Sequence, residues 1–575
     1  MPIHNSDIAR IFNQMADLLE IKGGNQFRVR AYRNAACTVG DQPQSMVKML
    51  ADGEDLSELP GVGKDLAGKI AEIVRTGTLK MLKDLEKKVP GGLSELLQVA
   101  QLGPKRVAVL HKKLDIESLD DLAEAARQKK IRDLNGFGEK TEEKILQELK
   151  RREEAEVRTK LFEAEQVAEP LEDYLKKIKG IKQVTVAGSY RRRRETVGDL
   201  DILVTCKNDS PVMESFIEYE DVVEVIAKGK TKSTVRLRDG LQVDLRVVPE
   251  VSYGAALHYF TGSKEHNVAV RKIAVKKGLK INEYGVFQTK GNEKRVAGVN
   301  EKEVFATVDL SYIEPELREN RGEIEMAQKG KLPKLIEPND IRGDLHSHTK
   351  ATDGHASLKE MADAARSLGY SYLAITEHSK AVSIARGFDR KRLEQQIEKI
   401  EKLTDEYSGF RILKGIEVDI LENGSLDLPD EVLEKLDLTV CSLHSNFNLS
   451  LEKQTDRIIR AMDNPNFNIL GHPTGRLINE REPYRLDMEK IMKAALERGC
   501  FLELNAHPDR LDLTDHHCRM ARDMGLKMAI STDAHSIQGL KNMKYGVYQA
   551  RRGWLTKHDV INTRKVADLL KLLKR

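Results

Sequence analysis

The stretch GSYRRRRETVGDLD, residues 188–201, decides how the rest of the chain is read. It lies between the short apolar runs Val184/Val186 and Ile202, Leu203 and Val204, a pattern that predicts strand, turn and strand with the charged residues at one end. Asp199 and Asp201 are two apart in an extended segment, so their side chains share one face. Ahead of them Gly188, Ser189 and four arginines offer backbone N–H, hydroxyl and guanidinium donors suited to a polyphosphate. Carboxylates for a divalent ion beside donors for a polyphosphate are what metal-assisted nucleotidyl transfer requires.

A third carboxylate is expected on LQVDLRVV, where Leu241, Val243, Leu245 and Val247 alternate with Gln242, Asp244 and Arg246, leaving Asp244 on the polar face. The bland reading is a loop of solvated charges. Against it, the arrangement resembles the palm of family X DNA polymerases, the nucleotidyltransferases of the DNA polymerase β type. The resemblance implies that Asp199 and Asp201 hold two Mg or Mn ions. It also makes Asp244 the acceptor for the primer hydroxyl and sets Gly188, Ser189 and Arg192 against the triphosphate of an incoming dNTP.

HYFTGSKEHNVAVRKIAVKKGLKINEYG, residues 258–285, extends the resemblance into a thumb. Thr261, Gly262 and Ser263 read as a turn and helix cap, with Asn267 and Arg271 four apart on one helix face. By the resemblance Tyr259, Phe260, Gly262 and Asn267 surround the nucleotide and Arg271 reaches the template. Lys264 falls where some relatives carry an acid.

At 575 residues the chain is long enough for three to five domains. Charged residues make up 32% of it, no apolar run is long enough to span a bilayer, and MPIHNSDIAR lacks the marks of a signal peptide, so a cytoplasmic protein is expected. Five scattered cysteines with no CxxC pair fit a reducing compartment and exclude a thiolate metal site. The net charge of +4 divides evenly about residue 340, so bulk charge does not announce nucleic acid. Histidine does divide the chain, with eleven of fifteen after residue 340.

Residues 1–90 read as helices, with FRVRAYRNAA supplying arginines interleaved with aromatics. LPGVGKDLAGKI (59–70) and LNGFGEKTEEKI (134–145) are two copies of one pattern, and QLGPKRVAVL (101–110) is a weaker third. Gly61 with Gly63, and Gly136 with Gly138, permit a tight turn whose N–H groups meet a DNA phosphate without reading a base, the helix-hairpin-helix arrangement. By resemblance the first 90 residues match the small lyase-type domain of family X. Lys69 stands at its Schiff-base position, while Asn34 and Asp65 replace basic residues. A phosphate anchor without lyase chemistry is the favoured reading of Lys69, because a Schiff-base lysine needs a lowered pKa.

From residue 341 short apolar runs alternate with helical ones, and the runs end in His, Asp or Glu: GDLHSHT, YLAITEH, ILKGIEVD, LTVCSLHS, FNILGHP, FLELNAH and MAISTDAH. This repetition predicts a barrel of parallel strands with ligands gathered at the strands' C-terminal ends. Imidazole and carboxylate without thiolate suit Zn, Mn or Fe. The motifs resemble the PHP domain, a distorted (β/α)7 barrel with up to three Mn or Zn ions. The resemblance implies one ion on His346, His348, Glu417 and Asp533, a second on Glu417, His444 and His472, and a third on Asp353, His378 and His535. Arg476 and Arg510, each just beyond a ligand strand, are candidate phosphate holders.

The expected fold is therefore multidomain, α+β followed by α/β. It comprises a lyase-like helical domain (1–90), fingers with a second helix-hairpin-helix (91–165), palm (166–255), thumb (256–317), a polar linker (318–340) and the PHP barrel (341–575). The whole resembles a bacterial family X DNA polymerase. It implies a monomeric enzyme, independent of membranes, that fills gapped DNA with dNTPs. Its PHP site would remove 3'-terminal nucleotides or 3'-blocking groups, with abasic sites as a further substrate. Rival readings make the PHP metals a structural scaffold, or direct the PHP site at small phosphate esters.

Overall fold

The chain is described by a computed structural model over residues 5–575, apart from residues 23, 41–45, 60, 87–92, 97–98, 100–101, 103, 135–136, 140, 144, 147–148, 150–157, 208 and 291–292. Two units are present, Met1–Val157 and Arg158–Arg575. Among the described residues no helix is long and apolar enough to cross a membrane.

The first unit is helical. Helix α1 (Asn5–Ile21) buries Ile8, Ile11, Phe12, Met15 and Leu18, its apolar stripe, largely against α2 (Gln26–Gly40), where Phe12 meets Tyr32 edge-on at 5.6 Å. One turn recurs three times: Val62 N donates to Leu59 O, Leu102 N to Val99 O and Phe137 N to Leu134 O, each at 3.0 Å. After the first turn Gly61 takes φ +78, which a side chain resists, and Gly63 caps α3 (Lys64–Thr76). After the second comes α4 (Pro104–Leu114), so the proline that weakened the pattern occupies a helix's first position, where no N–H is needed. In the third, Gly138 accepts from Thr141 N and Glu142 N at 2.9 and 3.0 Å, while Gly136 lies outside the described residues. Glu142 is buried, accepting from the N–H groups of Ile131 and Arg132 and pairing with Arg132 Nε at 2.6 Å.

The second unit opens with α5 (Leu161–Lys176) packed on a five-stranded sheet. Its strands are β1 (Ile181–Val186), β2 (Asp199–Cys206), β3 (Val222–Ala227), β4 (Lys232–Leu237) and β5 (Gln242–Val247), in the order β1-β2-β5-β4-β3. Leu200, Ile202 and Val204 of β2 and Val243 and Leu245 of β5 face the core with α5, so the alternating acids point the other way. Only β2 and β5 run parallel, and their register sets Asp201 opposite Asp244. Helices α6 (Tyr253–Thr261) and α7 (Lys264–Lys276) follow, then a three-stranded sheet of β6 (Leu279–Asn282), β7 (Gly285–Gln288) and β8 (Arg295–Ala297). Segment 318–340, read as a linker, packs closely: Arg318 is fully buried on Glu301 at 2.5 Å, the helix Glu323–Gln328 buries Ile324, and Leu335 and Ile336 are buried. Paired charges let so polar a segment enter the interior.

The C-terminal region is a parallel sheet of seven strands in sequence order: β9 (Gly343–Asp344), β10 (Tyr372–Ile375), β11 (Arg411–Asp419), β12 (Leu438–Ser442), β13 (Ile469–Leu470), β14 (Phe501–Asn505) and β15 (Met528–Ser531). A parallel bridge between Ser347 and Ala534, with His348 N donating to Ala534 O at 2.9 Å, nearly closes it into a barrel. The seven apolar runs picked out in the sequence are these strands.

Palm and barrel share a core, since Ile478, Leu511 and Tyr545 pack with the palm's apolar residues. Charges lock the join. Lys160 reaches Glu480 at 2.7 Å and Asp509 at 2.6 Å, and Arg193 stacks on Tyr548 at 4.4 Å. Arg552, at the end of α8 (Met543–Arg552) and almost fully buried, binds Asp515 at 2.7 Å, Glu319 at 3.0 Å and Arg192 O at 2.8 Å. Removing one member of a buried ion pair leaves the others uncompensated. Arg552→Ala is therefore expected to destabilise this unit by roughly 3–5 kcal/mol, whereas Arg321→Ala, which removes a half-exposed arginine from the same Asp515, costs about 1 kcal/mol or less. Urea denaturation of both variants checks this; equal losses would contradict it.

Candidate active sites

In the palm, Asp199 and Asp201 stand on one face of β2 and Asp244 joins them from β5. Gly188 adopts φ +64 and lies so close to Asp201 that a Cβ there would meet its Oδ2 at 3.1 Å, which seats the Gly188–Arg191 helical turn directly beside the carboxylates. Asp244 accepts from Thr234 Oγ1 at 2.6 Å and meets Lys232 Nζ at 2.8 Å and Arg246 at 3.5 Å. Burial, then the charges of Asp199 and Asp244, push the Asp201 carboxyl up to about 7. Crowded acids of this kind accept a divalent cation readily, because the cation removes the repulsion that holds the proton on.

The arginines of the signature are engaged elsewhere. Arg191 forks onto Glu301 at 2.7 and 3.0 Å, and Arg192 donates to Glu319 at 3.0 Å and Thr261 O at 2.5 Å. Gly262, at φ +68, lets the turn approach Arg192, and Ser263 caps α7 by accepting from His266 N. Asn267 is buried and donates to Tyr259 O at 2.7 Å, while Arg271 donates back to Asn267 O at 3.3 Å. Phe260 lies under Arg246 at 4.4 Å, and Lys264 is exposed. In the first unit Lys69 pairs with Asp65 at 2.5 Å and sits 5.1 Å from the Tyr32 ring. Burial works against its charge, but Asp65 and Tyr32 outweigh burial and raise its pKa, the opposite of what a Schiff-base lysine needs.

In the barrel the candidate ligand residues converge at the strands' C-terminal ends. Three groups bring their ligand atoms within 4.8 Å of one another: His348, Asp353, His378 and His535; His346, His348 and Asp533; and His378, Glu417 and His444. His472 joins through its Nε2, 2.9 Å from Glu417 Oε1. The nine residues named from the sequence thus form one continuous cluster with Glu417 at its centre. His346 Nε2, both His348 ring nitrogens and Glu417 Oε2 are buried without a hydrogen-bond partner, which fits atoms meant for cations. Burial and the neighbouring His535 push His348 down to about 3, so its ring is neutral. Desolvation opposes charge on His378 and His444, but the Glu417 carboxylate overrides it and lifts them to about 10 and about 9.

Glu503, which no sequence argument singled out, is fully buried; it accepts from His472 N at 2.6 Å and faces His346 Nδ1 at 2.8 Å. Its signal was present: an acid inside the apolar strand FLELN has to have a buried partner. Asp419 likewise faces His444 Nδ1 at 3.3 Å. Arg510 lines the pocket, 3.9 Å from Asp533. Arg476 does not serve there: its guanidinium forks onto Glu195 of the palm at 2.7 and 3.1 Å and is nine-tenths buried, so the expectation that it holds phosphate is corrected to a role in the join.

Fold and sites together define a metal-dependent enzyme of two parts, a nucleotidyltransferase palm and a phosphoesterase barrel. Family profiles match in the same order: helix-hairpin-helix domain (3–79), SAM-like helix-hairpin-helix tandem (93–151), DNA polymerase beta palm (161–272), DNA polymerase beta thumb (256–319) and PHP domain (344–507). The chain is 40% identical over 575 residues, all of both chains, to the DNA polymerase/3'-5' exonuclease PolX of Bacillus subtilis (strain 168). It is also 34% identical over 247 residues, 40% of this chain and 95% of the other, to a probable phosphatase of Thermoanaerobacter sp. (strain X514). The chain belongs to the family X DNA polymerases that carry a C-terminal PHP domain, and both parts imply the use of divalent metal ions.

The raised carboxyl of Asp201 has a signed consequence. Its folded-state value of about 7 exceeds the ordinary 3.8, so its contribution to stability is present below pH 3.8 and lost as the pH rises through 7. In EDTA, Asp201→Asn is expected to be more stable than the parent at pH 8 by about 2–4 kcal/mol, with the gap narrowing towards pH 4. Urea titrations across that range check this, and a gap independent of pH would contradict it.

Proposed function

We propose that the chain fills short gaps in DNA from dNTPs and that its PHP site removes 3'-terminal nucleotides or blocking groups from the same strands. The observation that carries this reading is the presence, in one folded unit, of a three-carboxylate face beside a glycine turn and a buried cluster of imidazoles and carboxylates. Asp199, Asp201 and Asp244 would hold Mg2+ or Mn2+, which supplies charge neutralisation for in-line attack on a triphosphate. The Gly188–Ser189 backbone orients the triphosphate, Asp244 receives the proton of the primer hydroxyl, and the Tyr259–Phe260 pair with Asn267 borders the nucleotide. Arg192 would have to leave Glu319 to reach the phosphates, so nucleotide binding and release of that pair are linked.

In the PHP site His346, His348, Asp533, Glu417, His444, His472, Asp353, His378 and His535 would hold Mn2+ or Zn2+, up to three ions, and Arg510 would steady a phosphodiester. Abasic sites are a further substrate class for this site. Contacts of the helix-hairpin-helix turns with DNA are to the backbone through Gly61, Gly63, Gly136 and Gly138. Lys69, paired with Asp65, acts as an anchor for a 5'-phosphate rather than as a lyase nucleophile. Borohydride is accordingly expected to trap no covalent adduct with a 5'-deoxyribose phosphate end; a trapped adduct lost in Lys69→Ala would overturn this.

The shared core of palm and barrel also favours a second reading, in which the PHP metals only brace the polymerase. A 5'-labelled primer in a one-nucleotide gap, incubated with Mn2+ with and without the complementary dNTP, separates the two. Extension with the nucleotide and shortening without it are expected. Asp201→Ala should lower extension at least about a hundredfold and spare shortening, while His346→Ala should do the reverse. Loss of extension together with melting temperature in His346→Ala would favour the bracing role instead.

A further inference from the structure

The pocket above the barrel's ligands, 390 Å³ in volume, is lined by charged or imidazole groups except at one loop, which contributes Val382, Ile384 and Ala385. Ile384 is 95% exposed, while its neighbour Ala385 is 4% exposed. The loop is held in place rather than draped. A bridge between Ser379 and Phe388 closes its base, and Phe388 N donates to the carbonyl of the ligand His378 at 2.7 Å. Ala385 N and Gly387 N both return to Val382 O, at 3.1 and 3.2 Å, and the Arg386 guanidinium donates to Thr352 O beside the ligand Asp353. Gly387 passes so close that a Cβ would lie 1.9 Å from Ser379 O, so the turn tolerates no side chain there.

A loop braced beside two candidate ligands, His378 and Asp353, thus presents a branched apolar side chain to water at the rim of the pocket. A scattered surface isoleucine needs no explanation, but one fixed in this place divides the lining into an ionic part and an apolar part. The 3'-terminal nucleotide of a DNA strand has the same two parts, a phosphodiester and a nucleoside with an apolar face. Resting on the nuclease reading above, we propose that Ile384, with Val382 and Ala385, is the platform against which the terminal nucleoside lies while its phosphodiester meets Arg510 and the ligand cluster. Ile384 is a specificity-determining residue, and it makes the site prefer strand ends that carry a base.

The test uses the full chain with Mn2+ and two 5'-labelled strands, one ending in a normal nucleotide and one in a 3'-terminal abasic analogue. Wild-type protein is expected to shorten the normal end about fivefold or more faster, in kcat/KM, than the abasic end. In Ile384→Ala that preference should fall to within about twofold through a higher KM for the normal end, and Ile384→Leu should restore most of it. Gap-filling by the same preparations serves as the control for folding. Equal preferences in wild type and Ile384→Ala, or a fall in kcat on both strands alike, would overturn the platform alone. A wild-type protein that shortens neither strand would overturn the nuclease reading and the platform with it.

Discussion

The structure depends most on Glu417, a carboxylate at 1% exposure with imidazoles of His346, His348, His378, His444 and His472 within 3.6 Å of its oxygens. So many ligand atoms cannot be buried together without positive charge among them. The Glu417 carboxylate draws it onto His378 and His444, whose rings hold their protons above neutrality. A divalent cation would do the same work and would also satisfy the nitrogens and oxygens that find no hydrogen bond. Glu503 and Asp419 fix two of the rings from behind, so the cluster is oriented before any ion arrives.

The palm applies the same principle less severely. Its three acids lie at a strand end rather than deep in a barrel, and Lys232 and Arg246 already offset part of their charge. The turn beside them is wired outward through the four arginines: Arg191 to Glu301, Arg192 and Arg194 to Glu319, and Arg193 onto Tyr548 of the barrel. Arg552 of the barrel shares Glu319 and holds the carbonyl of Arg192. The two chemistries therefore sit in one unit whose interior ion pairs cross from one part to the other.

Much of this was legible in the sequence, because strand alternation and strand-end ligands are local patterns. The spacing of Asp199 and Asp201, the polar face of Asp244, and the seven apolar runs that end in His, Asp or Glu each needed only a few neighbouring residues. What required the folded chain was pairing at long range. The parallel register that sets Asp201 against Asp244 joins strands some forty residues apart. Glu195, which claims Arg476, lies 281 positions away, so an arginine that looked free to bind phosphate was already committed. Segment 318–340 looked like a linker for the same reason, since its charges at Arg318, Glu319 and Glu337 are paired with Glu301, Arg552 and Arg551 outside it.

The barrel cluster is proposed to hold divalent cations within the same folded unit as the palm. Anomalous scattering from Mn2+ in crystals of the full chain tests it most directly. More than one strong peak is expected within bonding distance of Glu417 and its surrounding imidazoles, together with ordered rings that keep their contacts to Glu503 and Asp419. A map with no peak at Glu417, its histidines still paired to carboxylates through protons, would contradict it.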